Sequence, residues 1–259
     1  MDEKFILIHD QIINGPKYFY RNISIDNVIL GYHERELKVL LQRPPDFDKW
    51  MLPGGYVRKT ETVEEAAIEI VRSRTNLENL VLHQFKVFSD PDRINDGGFV
   101  FRKVRALQGF DIPEDHWMFE NFFSIGFFAL TEYSLVEPTG EYLMEECCWW
   151  DIHNLPELIY DHADIIKESL SHLKKLTYLQ PIGYDLLPEK FTLPEIHSLY
   201  ETILNKKFDI RNFTKKLVNM GLIIKLDEQR HIGAHRSPFL YMFNKEKYDS
   251  LTEDGGRVM

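Results

Sequence analysis

Cysteines are scarce in this chain and long hydrophobic runs are absent, which narrows its class. Only two cysteines occur among 259 residues, at the adjacent positions Cys147 and Cys148. They indicate a reducing compartment rather than a disulfide scaffold. The longest apolar segments, such as residues 122–130, are far shorter than the ~20 residues of a membrane span. The first residues lack the basic stretch and apolar core of a signal peptide. We therefore expect a cytoplasmic protein with no membrane partner.

Glycine and proline are also too few for a disordered or collagen-like chain, at 14 and 12 residues. A hydrophobic fraction of 44% and a charged fraction of 28% are ordinary for a globular protein. A chain of this length accommodates one large domain or two medium ones.

Basic side chains are outnumbered by acidic ones, which gives a net charge of −10, but the basic residues are unevenly distributed along the chain. Residues 1–181 carry 19 basic and 30 acidic side chains, whereas residues 203–247 carry ten basic and four acidic ones. A basic region on an otherwise acidic chain indicates a nucleic-acid-binding segment there, although a solvated surface helix produces the same pattern.

The N-terminal two thirds alternate strand and helix patterns. β-Branched and apolar segments predict strands, and Pro53-Gly54-Gly55 predicts a loop that ends a short strand. Thr62 with Glu65 forms a capping-box pattern before an amphipathic helix. This order favours an α/β sandwich over residues 1–178, with an insertion near residues 96–121. The predicted strands are 19–32, 36–42, 49–52, 80–88, 122–131 and 142–151, and the predicted helices are 63–74 and 156–176.

The C-terminal third has a different organisation. Residues 179–188 lack helical periodicity and are interpreted as a linker. Residues 189–259 form the second domain. Its predicted elements are a helix at 193–204 that Thr192 and Glu195 cap, a helix at 209–220, and extended segments at 222–226 and 238–243. Helix, short turn, helix and basic hairpin is the element order of a winged helix-turn-helix.

One segment resembles the signature of the Nudix family. Gly55 and Glu61 have its first spacing, and the segment Leu52-Pro53-Gly54-Gly55 precedes it as in the family. The resemblance covers roughly residues 20–175 and implies a Nudix-type α/β/α sandwich. Further matching positions are Val63, Glu65, Ala66 and Ala67.

The catalytic half of this signature is missing. Ile70, Ser73 and Arg74 stand where the family has the glutamates that hold magnesium. Hard cations need carboxylate oxygens. We therefore expect no catalytic residues, no metal and no cofactor. Glutamates remain at positions 61, 65 and 69; they are interpreted as a solvated helix face in preference to a weak ion site.

The C-terminal third resembles the Nudix-related transcriptional regulators. The resemblance lies in residues 186–193, 199–201 and 209–216. That family includes repressors that sense ADP-ribose and regulators that sense pentoses such as arabinose. The resemblance implies a homodimer that binds an inverted repeat in double-stranded DNA, under the control of a small effector.

The candidate DNA-binding residues lie in two predicted segments. These are the recognition helix at 209–220 and the wing, which is the connection at 227–237 between the two extended segments. Phe213, Leu217 and Met220 share one helical face, so the basic residues face outward. Arg and Asn pair with base edges, and Lys more often with phosphate. The candidates are Arg211, Asn212, Lys215 and Lys216 on the helix, and Arg230, His235 and Arg236 in the wing.

The candidate effector residues are those that flank the Gly54-Gly55 loop in the Nudix fold. They are Arg43, Trp50, Gly54, Gly55 and Arg93. Loss of the metal ligands makes a neutral sugar the preferred effector over a diphosphate. His162 is interpreted as an anchor for the last helix of this domain.

Two other functions stay open. A divergent Mg²⁺-dependent Nudix pyrophosphatase would use Glu61, Glu65 and Glu69, and a protein-interaction module would use the winged helix without binding DNA. The sequence identifies neither the effector nor the operator. It does not distinguish activator from repressor, and the insertion can reshape the pocket or build a dimer interface.

Overall fold

A computed structural model describes residues 9–44, 46–75, 80–94, 102–103, 106, 113, 115–135, 146–230 and 237–253. The chain divides into two compact units. Unit 1 comprises Met1–Leu30, Val39–Ala129 and Leu135–Ser169, and unit 2 comprises Gly31–Lys38, Leu130–Ser134 and Leu170–Met259. Across the described residues, no helix has both the length and the apolar character that a membrane crossing requires.

The principal sheet has six strands in the order β4-β5-β1-β2-β6, and β3 pairs with β1. The strands are β1 Phe19–His33, β2 Glu36–Arg43, β3 Gly54–Arg58, β4 Leu82–Phe88, β5 Phe123–Glu132 and β6 Glu146–Asp151. The β1, β2, β4 and β5 predictions are confirmed within two residues. The segment 142–145, predicted as the start of β6, lies outside the described residues.

Two helices accompany this sheet, α1 at Val63–Thr75 and α2 at His162–Leu179. The predicted capping box of α1 is confirmed: Thr62 N donates to Glu65 Oε2 at 2.8 Å, and Glu65 N to Thr62 Oγ1 at 3.1 Å. The predicted start of α2 near Pro156 is wrong by about one and a half turns, because residue 158 instead bridges to Trp50 and Ile159 N donates to Trp50 O.

Strand β3 was not predicted. Gly54 and Gly55 were interpreted as a loop, but they open β3 and pair with Asp26 and Ile25 of β1. Glycine is needed there for space. A Cβ on Gly54 would lie 2.7 Å from Asp26 Oδ1, and one on Gly55 would lie 2.9 Å from Ile70 Cδ1. The predicted short strand at 49–52 consists only of isolated bridges at Trp50 and Met51.

The end of the insertion packs on the N-terminal segment. Trp117 stacks near Phe19 in a cluster with Ile12, and its indole N–H donates to Ile12 O at 2.8 Å. A Cβ on Gly15 would collide with the Trp117 ring. The larger part of the predicted insertion lies outside the described residues.

The C-terminal elements of unit 2 have the winged helix order. They are β7 Phe191–Thr192, α3 Leu193–Leu204, α4 Ile210–Asn219, β8 Ile223–Gln229, β9 Phe239–Phe243 and α5 Lys245–Glu253. The strands form a sheet in the order β7-β9-β8. Helix α5 was not predicted. The segment expected as a linker contributes buried side chains at Ile182, Leu186 and Leu187.

Candidate nucleic-acid interface and effector site

Helix α4 presents an apolar face inward and a basic face outward. Phe213 and Leu217 are buried. Phe213 packs against Tyr200 and Phe208 with ring centroids 4.9 and 5.1 Å away. The four candidate side chains of this helix are all exposed: Arg211, Asn212, Lys215 and Lys216. Helical periodicity thus sorts the side chains as the sequence indicates.

The helices on either side of the turn are closed by local hydrogen bonds. Asp209 caps α4, because its Oδ1 accepts from Asn212 N at 2.8 Å. Thr192 and Glu195 form the capping box of α3 that the sequence indicates. Asn205 ends α3 with a φ of 48°, in the left-handed region that Asn tolerates. These caps fix the angle at which α4 follows α3.

Of the wing candidates, the structure describes only Arg230. Its guanidinium contacts Glu195 Oε1 at 2.5 Å and Lys190 O at 2.8 Å, at the base of the wing. His235 and Arg236 lie outside the described residues.

Two effector candidates, Arg43 and Trp50, lie together in unit 1. The Arg43 guanidinium carbon is 4.9 Å from the centre of the Trp50 ring, and Arg43 Nη2 is 2.5 Å from Glu146 Oε1. Trp50 packs edge-on against Trp150 with centroids 5.2 Å apart. Glu146 and Trp150, both on β6, were not among the candidates. They were missed because the pairing of β2 with β6 is not apparent from sequence spacing.

Arg93 is the most enclosed candidate, with a side chain 3% exposed. Its guanidinium donates to both carboxylate oxygens of Asp161, at 2.9 and 2.8 Å, and to Phe122 O at 3.0 Å. Asp26 Oδ2 lies 3.7 Å away. This environment gives Arg93 a structural role, joining α2 to the strand that begins at Phe123.

Gly54 and Gly55 lie between β1 and α1. Ile70, which the sequence predicts to stand at a metal-ligand position of the Nudix signature, packs beside Gly55 and the Ile25 cluster. The structure places this side chain in an apolar contact.

The three remaining glutamates of the Nudix-like segment each have a local partner. Glu61 accepts from Arg58 N at 2.7 Å, Glu65 caps α1, and Glu69 pairs with Arg72 at 2.8 Å. Among the described residues, no group of three or more His, Cys, Asp or Glu side chains is arranged to hold a metal ion.

A cavity of about 770 Å³ opens beside Arg93 in unit 1. Its polar walls carry both signs of charge, including Lys86 paired with Glu168 at 3.5 Å. The remaining lining residues come from 87–93, 160–161, 164 and 167. A polar, mixed-charge cavity fits a hydroxyl-rich or zwitterionic ligand better than an apolar one.

Comparison with known proteins separates the two parts of the chain. Residues 183–243 match the family of the NrtR DNA-binding winged helix domain. The match confirms the predicted winged helix and extends into the segment that was expected as a linker.

Most of the chain is similar to a transcriptional repressor and to the solved structure of a DNA-bound NrtR. It is 22% identical to the ADPR responsive transcriptional repressor NtrR of Acinetobacter baylyi over 88% of this chain and 84% of that one. The crystal structure of Shewanella oneidensis NrtR complexed with a 27mer DNA superposes with a TM-score of 0.67 at 20% identity, over 88% of this chain and 96% of the other.

A pyrophosphatase and a MutT/nudix family protein match as well. An ADP-ribose pyrophosphatase of Methanocaldococcus jannaschii is 29% identical over 58% of this chain and 74% of its own length. A MutT/nudix family protein from Enterococcus faecalis has a TM-score of 0.59 at 19% identity, over 93% of both chains. The predicted fold, a Nudix-type α/β/α sandwich with a C-terminal winged helix-turn-helix domain, is confirmed.

Proposed function

We propose that the protein is a Nudix-related transcriptional regulator that binds operator DNA through α4 and the wing. We propose that an effector bound in the Nudix-type domain weakens or strengthens this DNA binding. The exposed basic face of α4 carries the proposal. Among the described residues, no carboxylate forms an ion pair with Arg211, Lys215 or Lys216. Three cations on one helix, none paired with a carboxylate in the part of the chain that the structure describes, favour a polyanionic partner.

Different side chains of this face suit different parts of DNA. Arg211 and Asn212, in the first turn of α4, suit guanine and adenine edges. Lys215 and Lys216 suit phosphates, as do Arg230, His235 and Arg236 in the wing. A helix-turn-helix domain of this kind contacts one half-site, and a symmetric dimer contacts two half-sites arranged as an inverted repeat. We therefore propose that the protein binds an inverted repeat as a homodimer.

ADP-ribose is the first effector to test. The similar repressor of Acinetobacter baylyi is named as ADPR responsive, and a similar archaeal enzyme acts on ADP-ribose. The sequence alone favoured a neutral sugar, so pentoses are the second class. We propose that Arg43, Trp50, Gly54, Gly55 and the cavity beside Arg93 take part in this binding.

We further propose that the Nudix-type domain senses its ligand without hydrolysing it. Ile70 contacts Gly55 where a metal ligand is needed, and Glu61, Glu65 and Glu69 are engaged locally. Hydrolysis of a pyrophosphate by this fold needs carboxylates that face a shared metal ion.

The DNA half is tested by fluorescence anisotropy of the full chain with an operator selected in vitro, over a range of salt concentrations. Lys215→Ala/Lys216→Ala is expected to reduce the slope of log affinity against log salt by about 1.8 per protomer. Lys174→Ala/Lys175→Ala removes the same charge from exposed positions on α2 and is the matched control. Binding that ignores salt would favour the protein-interaction alternative.

The effector half is tested by thermal shift with ADP-ribose, ribose and arabinose. A Mg²⁺-dependent hydrolysis assay accompanies it. We expect a shift with one ligand class and no turnover. Robust ADP-ribose hydrolysis that Glu61→Gln abolishes would establish the pyrophosphatase alternative instead.

A further inference from the structure

We propose that Arg35, in the turn between β1 and β2, binds a DNA phosphate beside the N-terminus of α4. The DNA-binding surface would then extend beyond the residues that match the winged helix family. This inference rests on the proposed DNA-binding function and names an additional residue of the same interface.

The turn is fixed to the first helix of the helix-turn-helix. Thr202 Oγ1 on α3 lies 3.0 Å from the backbone carbonyl oxygen of Arg35 and 2.8 Å from Ser198 O, and these two acceptors share its single hydroxyl proton. Both residues belong to unit 2, although Arg35 precedes Thr202 by 167 positions. This contact places the backbone of the turn against α3, and the Arg35 side chain extends from there.

Arg35 borders the same cavity as the first residue of the recognition helix. Arg35, Lys207 and Ile210 line one cavity of about 270 Å³ in unit 2. Ile210 is the first residue of α4, and Arg211 follows it. The N-terminal end of a recognition helix approaches the DNA, so a cation here is well placed for the adjacent phosphate.

The positive charge of Arg35 can pair with an anion from outside the protein. The residue is exposed, and among the described residues no carboxylate forms an ion pair with its guanidinium. Glu201 is an acidic residue that lines this cavity. Its carboxylate already accepts from Lys207 Nζ at 2.6 Å and from Phe208 N at 3.1 Å. A guanidinium forms paired hydrogen bonds with phosphate oxygens, which a lysine does not match in geometry.

The backbone conformation of the turn points in the same direction. Glu34 and Arg35 have φ values of 49° and 68°, and neither is glycine or asparagine. Two-residue hairpin turns of this shape favour Asn-Gly, because other residues are strained in the left-handed region. Strained backbone of this kind clusters at functional sites, which fits a role for the Arg35 side chain.

The test is operator binding by the full chain, measured by anisotropy between about 50 and 200 mM salt. Arg35→Ala is expected to reduce the salt slope by about 0.9 per protomer and the affinity on the order of threefold. Arg35→Lys should restore the slope but only part of the affinity. Arg35→Asn suits a positive φ, and it should reproduce the Arg35→Ala result with thermal stability unchanged.

Arg21→Ala is the matched control, since it removes the same charge from unit 1, where Arg21 pairs with Glu120. Its slope should equal that of the wild type. A wild-type slope in Arg35→Ala, alongside a reduced slope in Lys215→Ala/Lys216→Ala, would overturn the role of Arg35 alone. Absence of salt-dependent binding in the wild type would instead overturn the proposed function.

Discussion

The backbone N–H of Leu52 donates to Nδ1 of His162 at 2.9 Å, and both residues are buried. Because Nδ1 accepts, the ring proton is on Nε2, which lies 3.6 Å from Asp26 Oδ1. This hydrogen bond joins the segment that enters Gly54-Gly55 to the first residue of α2. The interpretation of His162 as an anchor of the last Nudix-domain helix agrees with this contact.

The anchor should make unit 1 sensitive to mild acid. Burial lowers the pKa of His162, although Asp26 and Asp161 partly oppose this. The unfolded chain, with a pKa of about 6.5, then binds more protons than the folded chain, so stability falls as the pH drops below that value. One proton limits the slope to about 1.4 kcal/mol per pH unit. Urea unfolding at a series of pH values measures it.

His162→Asn is the informative variant for this prediction. Its amide oxygen can accept from Leu52 N but does not titrate in this range. The variant should lose part of the acid sensitivity while keeping most of its stability at pH 8. Equal pH dependence in the two proteins would show that His162 is not the group responsible.

Arg93 should matter for stability more than for ligand binding. Its guanidinium is buried against Asp161 and Asp26. Arg93→Met leaves two enclosed carboxylates without a cation and should cost about 3–5 kcal/mol in the free energy of unfolding. Arg93→Met/Asp161→Leu should recover part of this loss, because the double change removes the carboxylate of Asp161 together with the guanidinium of Arg93. A cost below about 1 kcal/mol for Arg93→Met would contradict the structural role.

Gly55 and Ile70 should be energetically coupled. A Cβ on Gly55 would lie 2.9 Å from Ile70 Cδ1, so Gly55→Ala should destabilise the protein by about 1–3 kcal/mol. Ile70→Ala opens space, and Gly55→Ala should cost less in that background. Chemical denaturation of the four proteins in the cycle gives the interaction energy. Strict additivity would mean that the two residues do not compete for space.

Restoring one signature glutamate should not restore hydrolysis. Ile70→Glu places a carboxylate in an apolar contact with the Ile25 cluster, so a lower melting temperature is expected. Ser73 and Arg74 stand at the other positions where the sequence resemblance predicts metal ligands. The hydrolysis assay with Mg²⁺ and ADP-ribose should therefore remain at background. Turnover by the single variant would show that the remaining glutamates suffice for a metal site.

Residue types and their spacing were enough to predict the helices and caps that depend on residues close together in the chain. The capping boxes Thr62/Glu65 and Thr192/Glu195 depend on residues three apart, and the faces of α4 depend on helical periodicity. Spacing alone therefore predicted α1, α3 and α4, as well as the exposed side chains of the recognition helix.

Tertiary structure decided the contacts between distant residues. Arg93 with Asp161, Leu52 with His162 and Thr202 with Arg35 are separated by 68, 110 and 167 positions. No periodicity connects such pairs, because their distances depend on the path of the whole chain. The same reason explains β3: Gly54 and Gly55 resemble a loop in sequence, and only the proximity of Asp26 and Ile70 makes glycine necessary in a strand.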